Sequence, residues 1–265
     1  MEKLKAGWIG FIRPDDDFWG NLEKLSALGY QGMEGGEALL QGDAEENLKR
    51  FHDLGLKVLT VSADMDSLRE GKYEDIIKRA KQLKTDRATV WACSINSSFW
   101  DKEPVYDEVM RDIEVMEKAA VKFDEEGIRL RYHNHHQDFL VSFNSITCFD
   151  HLIFNTEKLS ILLDVGWVTN GLQDPTRVME RIKDRLDAIH VKDYIKGEYR
   201  EKEGGWAPIF TTLGNGELKL LPVLETAQKI GIEWAVVEQD QMHNLSPMES
   251  LTVSYLNMKE TGLVL

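Results

Sequence analysis

Polar side chains end four apolar segments in the second half of the chain, and their types suit the binding of a metal ion. If each segment is a β-strand, its side chains alternate between two faces, and the four polar ends can point to one side. Two imidazoles and two carboxylates form a mixed nitrogen and oxygen site for a divalent cation that keeps coordination positions open. A hydrogen-bonded polar cluster without a metal is the alternative. The segments are Leu130-Arg131-Tyr132-His133, Ile161-Leu162-Leu163-Asp164, Ala188-Ile189-His190 and Ala235-Val236-Val237-Glu238.

Three further residues extend this candidate site. Glu34 ends the run Gly32-Met33-Glu34, and a solvated loop carboxylate is its alternative interpretation. His135 and Lys192 lie two residues beyond His133 and His190, so each shares the inward face of its segment.

The elements that would position these residues form a regular repeat. Short apolar segments of high β-propensity alternate with longer segments of 3.6-residue periodicity. The predicted strands are Gly7–Phe11, Gly32–Gly35, Leu56–Ala63, Ala88–Cys93, Ile128–Asn134, Leu159–Val165, Ala188–Asp193 and Trp234–Gln239. The predicted helices are 17–28, 44–54, 73–84, 104–126, 146–154, 175–185, 218–230 and 247–261. Eight such units in 265 residues average about 33 residues each, the size of a unit that returns the chain parallel to its previous strand.

This repeat of strand and helix units predicts an α/β fold, a single (β/α)8 TIM barrel that spans residues 1–265 as one domain. Gly29, Gly55, Gly127 and Gly231 each stand between a predicted helix and the next strand, as at helix C-termini. A doubly wound open sheet is the competing fold, but no G-x-G-x-x-G motif follows a predicted strand. In such a barrel the active site lies at the C-terminal ends of the strands, where the candidate residues stand. The stretch 197–216 predicts one long loop above the barrel.

Composition restricts the partners of the protein. The chain has 32 Lys and Arg against 46 Asp and Glu, and the net charge of -14 repels phosphate backbones and anionic lipids. We therefore expect no nucleic-acid partner and no membrane partner. Cys93 and Cys148 form neither a disulfide framework nor a zinc motif, and the apolar run after Lys5 is too short for a signal peptide. A cytoplasmic location fits these observations best.

The candidate residues stand in motifs that cover nearly the whole chain. The motifs are Gly29-Tyr30-Gln31-Gly32-Met33-Glu34, Tyr132-His133-Asn134-His135, Leu163-Asp164-Val165-Gly166-Trp167, His190-Val191-Lys192-Asp193, Leu213-Gly214-Asn215-Gly216-Glu217 and Val237-Glu238-Gln239-Asp240. Together they resemble the xylose-isomerase-like superfamily of sugar isomerases and epimerases, which shares its barrel with inosose dehydratases and endonuclease IV. The resemblance implies a divalent metal held at the ends of the last four strands, here by His133, Asp164, His190 and Glu238.

Two positions depart from the family pattern. Many epimerases of this superfamily have a metal-bound Glu at the end of the fifth strand, where this chain has His133. A His commonly follows the sixth-strand Asp by three residues, where this chain has Trp167. The first departure disfavours a two-glutamate epimerisation, and the second disfavours a trinuclear zinc cluster.

The resemblance implies a metal-dependent isomerase or epimerase that acts on a sugar or keto-sugar. One ion of Mn, Co, Fe, Zn or Mg, with Mn favoured, would stabilise the enediolate formed when a base removes the proton beside a carbonyl. Glu238 is the predicted base, and Glu34 or His135 is the predicted partner acid. Lys192 could polarise a substrate oxygen or form a salt bridge inside the site. Four tryptophans could stack on a sugar ring or pack in the core: Trp8, Trp100, Trp167 and Trp206.

Other functions stay open at the level of the sequence. Loss of a β-substituent after the same proton removal would make the protein a lyase or dehydratase of a keto-sugar, keto-glycoside or inosose. A phosphodiesterase like endonuclease IV and a sugar-binding protein without turnover are further alternatives. The expected partner is a small-molecule carbohydrate, and a homo-oligomer is compatible with the sequence.

Overall fold

The structure is a computed structural model that describes residues 2–10, 17–100, 102–202 and 205–265, with the side chains of 98–100, 196–202 and 205–207 outside that description. Within these residues, eight parallel strands close into a barrel, and the first strand pairs with both the second and the eighth. The predicted TIM barrel is confirmed. The barrel strands are β1 (Lys5–Trp8), β2 (Gly32–Glu34), β3 (Lys57–Ser62), β4 (Arg87–Val90), β5 (Arg129–His133), β6 (Ser160–Asp164), β7 (Leu186–Val191) and β8 (Trp234–Val237).

Helices connect the strands on the outside of the barrel. Their ends follow from local sequence, because the Asp43 side chain accepts a hydrogen bond from the Glu46 amide at the start of α2, and Gly231 ends α10 with φ 85°. None of the described helices is long and apolar enough to cross a membrane. The helices are α1 (Phe18–Leu28), α2 (Ala44–Asp53), α3 (Met65–Arg69), α4 (Glu74–Gln82), α5 (Tyr106–Glu125), α6 (Gln137–Leu140), α7 (Cys148–Asn155), α8 (Val165–Asn170), α9 (Pro175–Arg181), α10 (Leu220–Ile230) and α11 (Pro247–Glu260).

Part of the barrel interior is apolar. A Cβ at Gly32 would lie 2.6 Å from Leu59 Cδ2 and 2.8 Å from the Trp234 ring, so a glycine is needed there for these two large side chains to fill the barrel. The five buried residues of this floor are Leu59, Leu162, Ala188, Trp234 and Val236. Charged side chains lie beside the floor, where Arg131 pairs with Asp187, and above it, toward the C-terminal ends of the strands.

Two sequence predictions differ from the structure. Several strands end earlier than predicted, and the last predicted residue of the first strand, Phe11, lies outside the described residues. The prediction of one long loop over 197–216 was wrong, because Asp193–Lys202 and Gly205–Thr211 pair as an antiparallel hairpin, here called the mouth hairpin. Glycines are typical of loops, so the sequence of this stretch did not indicate strands. The two strands of the hairpin need only backbone hydrogen bonds and one firmly held end.

Asp193 holds that end of the mouth hairpin. Its carboxylate accepts hydrogen bonds from the amides of Tyr194, Gly214, Gly216 and Leu218 at 2.9–3.0 Å. A Cβ at Gly216 would lie 2.4 Å from Asp193 Oδ1, so the backbone approaches the carboxylate more closely than another residue would allow. The sequence motif around residue 214 therefore has a structural role beside the mouth of the barrel.

Candidate metal centre and active site

Four side chains from four adjacent strands converge above the apolar floor. His133 and Asp164 end β5 and β6, His190 lies in β7, and Glu238 directly follows β8. One potential ligand atom from each lies within 4.8 Å of the others. His190 Nδ1 lies 2.5 Å from Glu238 Oε2, and His133 Nε2 lies 3.3 Å from the same oxygen. We call these four residues the cluster.

Strand register explains the convergence. Asp164 and His190 are paired neighbours in the β6–β7 ladder, so their side chains project from the same level of the barrel. Asp164 also starts α8, because its Oδ1 accepts a hydrogen bond from the Trp167 amide at 2.8 Å. Capping by one oxygen fixes the carboxylate and directs the other, Oδ2, toward His133 Nε2 at 3.5 Å.

Glu34 holds His190 from the side opposite Glu238. Its Oε2 lies 2.7 Å from His190 Nε2, and its Oε1 accepts a hydrogen bond from Arg131 Nη2 at 2.8 Å. Arg131 Nη1 also pairs with Asp187 Oδ2 at 3.1 Å. Asp187, Arg131, Glu34 and His190 therefore form a series of ion pairs, here called the ionic column, from the bottom of the barrel to the cluster. The Glu34 side chain has 0% exposure, which places it beneath His190 and away from solvent.

Lys192 brings a buried ammonium to the same oxygens. Its Nζ lies 3.0 Å from Asp164 Oδ2, 3.2 Å from Glu238 Oε2 and 2.9 Å from Asp240 Oδ2. It also lies 4.9 Å from the Trp167 ring centroid. The side chain of Lys192 is fully buried whereas Asp240 is 39% exposed, so this pair connects the cluster to the mouth of the barrel.

The charges of the cluster shift its pKa values away from their ordinary range. Burial alone would raise the pKa of Glu238, but Lys192, His190 and His133 hold it well below the usual carboxyl value. Burial alone would lower the pKa of His190, but Glu34 and Glu238 raise it to about 10. Before a metal binds, the cluster therefore contains an ionised Glu238 and a protonated His190.

His135 lies beside the cluster and, unlike His190, is neutral. Its ring centroid is 4.9 Å from that of His133 and 5.6 Å from that of Trp167. Burial, together with the charges of His133 and Lys192, lowers the pKa of His135 well below its usual value, so its imidazole is neutral. The His135 amide donates to the buried Asp138 carboxylate at 2.7 Å, which fixes the backbone at this turn.

Trp91 is a site residue that the sequence analysis missed. Its ring centroid lies 5.4 Å from that of His133 and 5.9 Å from that of His190, with which it is stacked. Its Nε1 donates to Ser62 Oγ at 3.1 Å. The signal was present, because Trp91 lies two residues beyond Thr89, which faces the interior and accepts a hydrogen bond from Arg131.

The predicted tryptophans have different positions. Trp167 is buried beside Lys192 and His135, 5.0 Å from the Phe210 ring centroid. Trp8 is not brought to the cluster: it points outward from β1 and packs edge-on against Tyr30 at 5.5 Å, because the interior position of β1 belongs to Gly7. The side chains of Trp100 and Trp206 lie outside the described residues.

The cluster fits a divalent cation by its donor set. Two imidazole nitrogens and two carboxylates suit Mn, Fe, Co or Zn. Asp164 Oδ2 is buried and takes no part in the helix cap; it faces only the Lys192 ammonium and His133 within the described residues, so this oxygen can serve as a ligand. Of the four side chains, only Glu238 is partly open, with 15% exposure, and a substrate would meet it first.

Comparison with known proteins agrees with the fold. An inosose dehydratase from Lacticaseibacillus casei is 25% identical over 246 residues, 83% of this chain and 81% of that protein. A sugar phosphate isomerase/epimerase from Parabacteroides distasonis has a TM-score of 0.72 at 18% identity and covers 97% of this chain and 93% of its own. The zinc-bound IolI protein has a TM-score of 0.73 at 13% identity, with 97% and 98% covered. The family model described as xylose isomerase-like TIM barrel matches residues 22–253, and the chain belongs to that family.

Proposed function

We propose that this protein is a divalent-metal-dependent enzyme that removes the proton beside a carbonyl of a sugar or keto-sugar and returns it, as an isomerase or epimerase does. The observation that carries the proposal is the convergence of His133, Asp164, His190 and Glu238 within 4.8 Å. The zinc atom in the IolI structure supports a divalent cation, and we propose manganese as the ion of this protein.

A bound cation would polarise the substrate carbonyl and stabilise the negative charge that proton removal creates. Glu238 accepts the proton, because it is ionised and is the open member of the cluster. Lys192 donates a hydrogen bond to the substrate oxygen on which charge develops, while Asp240 keeps its ammonium oriented. His135, the predicted partner acid, lies beside His133, and as a neutral imidazole it donates a hydrogen bond from its ring N–H to the substrate while the transferred proton stays on Glu238.

We assign Glu34 a positioning role in place of the acid role. Both of its oxygens are engaged, by His190 and Arg131, and its side chain has no exposed surface from which to reach a substrate. By holding His190 Nε2, Glu34 leaves Nδ1 to face the cation.

Elimination is the second candidate function. The curated relatives of this chain include inosose dehydratases at 24–26% identity. In an elimination, Glu238 removes the same proton, and a β-hydroxyl leaves as water with a proton from the Lys192 ammonium, while His135 donates a hydrogen bond to it. His133 stands where many family epimerases have a second carboxylate, so this protein lacks one of the two bases of a two-base epimerisation. Elimination requires only one base and one proton donor.

The test combines metal analysis with proton exchange in heavy water. Protein reconstituted with Mn²⁺ or Zn²⁺ is incubated with free sugars, 3-keto sugars and inososes, and deuterium and water loss are followed by mass spectrometry. We expect about one metal ion per chain and deuterium in the recovered sugar or its isomer. A dehydrated product would instead establish elimination. Absence of both reactions with a fully loaded protein would contradict the proposal.

A further inference from the structure

A cavity of about 480 Å³ lies beside the cluster, at the C-terminal ends of β3 and β4. Its volume falls within the range of about 300–1,000 Å³ that is typical of small-molecule sites. Its walls combine apolar side chains with hydroxyls and a few charges. The residues that line it include Ser62, Asp64, Arg69, Trp91, Ala92 and Ser97.

Trp91 joins this cavity to the cluster. One side of its ring is stacked on His190, and the half-buried indole also lines the cavity. The hydrogen bond from Nε1 to Ser62 Oγ fixes the ring in this orientation. A molecule whose reacting carbon lies at the cluster can therefore extend across Trp91 into the cavity, with its apolar C–H face against the indole.

The charges of the cavity disfavour an anion. Arg69 makes two hydrogen bonds to Asp112, at 2.8 and 2.7 Å, and a third to Asp66 at 2.8 Å. Lys102 Nζ lies 2.7 Å from Glu108. Asp112 thus neutralises Arg69 and Glu108 neutralises Lys102, while Asp64 and Asp66 leave an excess of negative charge. A phosphate group would meet repulsion here.

The polar groups of the cavity suit hydroxyls instead. Ser97 is buried, and its Oγ has no hydrogen-bond partner in the part of the chain that the structure describes. A buried hydroxyl of this kind is costly unless a ligand or water completes it. The carboxylates of the cavity wall accept hydrogen bonds from sugar hydroxyls, and an uncharged sugar brings no further negative charge into the cavity.

We propose that this cavity is a subsite for an uncharged, polyhydroxylated group, such as a second sugar ring, attached to the sugar that reacts at the cluster. The proposal rests on the proposed function and deepens it: the substrate is a neutral glycoside, and a sugar phosphate is disfavoured.

The test is calorimetric titration of the metal-loaded protein with D-glucose, D-glucose 6-phosphate and three neutral disaccharides, trehalose, maltose and cellobiose. We expect at least one disaccharide to bind about tenfold more tightly than glucose, and the phosphate ester to bind no more tightly than glucose. Ser97→Ala should reduce the disaccharide affinity about three- to tenfold and leave the glucose affinity unchanged. Ser142→Ala, at an exposed serine of the 142–147 hairpin, is the matched control.

Ala92→Leu, which adds volume at the cavity wall, should abolish the disaccharide gain. Disaccharides that bind no better than glucose would overturn the proposal, and so would tighter binding of the phosphate ester or a gain that survives Ala92→Leu. Metal content and deuterium exchange are measured separately. A failure of the proposed function would appear in those two readouts, whereas a failure of the subsite would appear only in the titrations.

Discussion

Glu34 connects the cluster to the barrel interior, and Glu34→Gln isolates that connection. Glutamine keeps the size of the side chain, but one of its two ends carries an amino group. If that end faces His190, Nε2 must accept, which moves the ring proton to Nδ1, the nitrogen that faces Glu238. If it faces Arg131, two donors oppose each other across a contact of 2.8 Å. Both orientations weaken the hold on His190.

The expected magnitude follows from what Glu34→Gln removes and what it leaves. Loss of the outer partner of a metal-binding histidine costs about 10- to 100-fold in metal affinity, which is about 1.4–2.7 kcal/mol. The stability of the metal-free chain also falls, because Arg131 loses one buried partner. Arg131 keeps Asp187 at 3.1 Å and Thr89 at 3.0 Å, so we expect a loss of about 1–3 kcal/mol.

The assay is a competition titration of Zn²⁺ or Mn²⁺ against a chelator, with urea unfolding of the metal-free protein in parallel. Glu37→Gln is the matched control, because Glu37 also pairs with an arginine, Arg79 at 3.1 Å, and accepts the Ser62 amide, but does not touch the cluster. We expect the control to lose stability and to keep its metal affinity. Equal metal affinity in wild type and Glu34→Gln, or an equal loss in Glu37→Gln, would refute the reasoning.

Three other predictions follow from the described contacts. Metal-saturated Glu238→Gln should still bind a substrate analogue but lose deuterium exchange by about 10²–10⁴-fold, and near-normal exchange would move the base to another residue. Burial raises the pKa of Asp138 to about 6, so the folded chain binds that proton more tightly than the unfolded chain, and the resulting stability, complete below about pH 3.8, is lost as the pH rises through about 6. The effect of Asp138→Asn on stability in urea unfolding should therefore be more favourable at pH 8 than at pH 4 by up to about 3 kcal/mol, and equal effects at both pH values would exclude this cause. Asp193→Asn should lose two of its four amide contacts and about 1–3 kcal/mol, with faster hydrogen exchange at Gly214 and Gly216 or at Tyr194 and Leu218, and unchanged protection of all four amides would count against the anchoring role.

The barrel could be predicted from the sequence because its signal is local and repeated. Each strand is a short apolar run, each helix has its own period, and glycines such as Gly231 mark the junctions. The mouth hairpin could not be predicted in the same way. Its pairing joins Tyr194 with Phe210 across a glycine-rich stretch, and Asp193, which anchors it, is recognisable only from amides that lie up to 25 residues away.

The cluster could be predicted because alternation along a strand determines which side chains meet. The same rule, applied to Gly7, would have placed Trp8 on the outer face, and applied to Thr89 it would have placed Trp91 inside. The positioning role of Glu34 could be recognised only from the structure. Its partners Arg131 and His190 stand 97 and 156 residues away, and no sequence pattern shows which carboxylate oxygen meets which of them.

The barrel interior combines apolar and ionic side chains along one strand, and this explains how the fold supports the cluster. In β7, Ala188 belongs to the floor and His190 to the cluster, and the next inward residue, Lys192, reaches Asp240 at the mouth. Each of these buried ions meets an opposite charge from another strand, which is the condition under which buried charges are tolerated. Substitutions in the ionic column therefore affect folding and chemistry together. The cavity beside Trp91 lies outside that column, so substrate preference can change there while the groups that move the proton stay fixed.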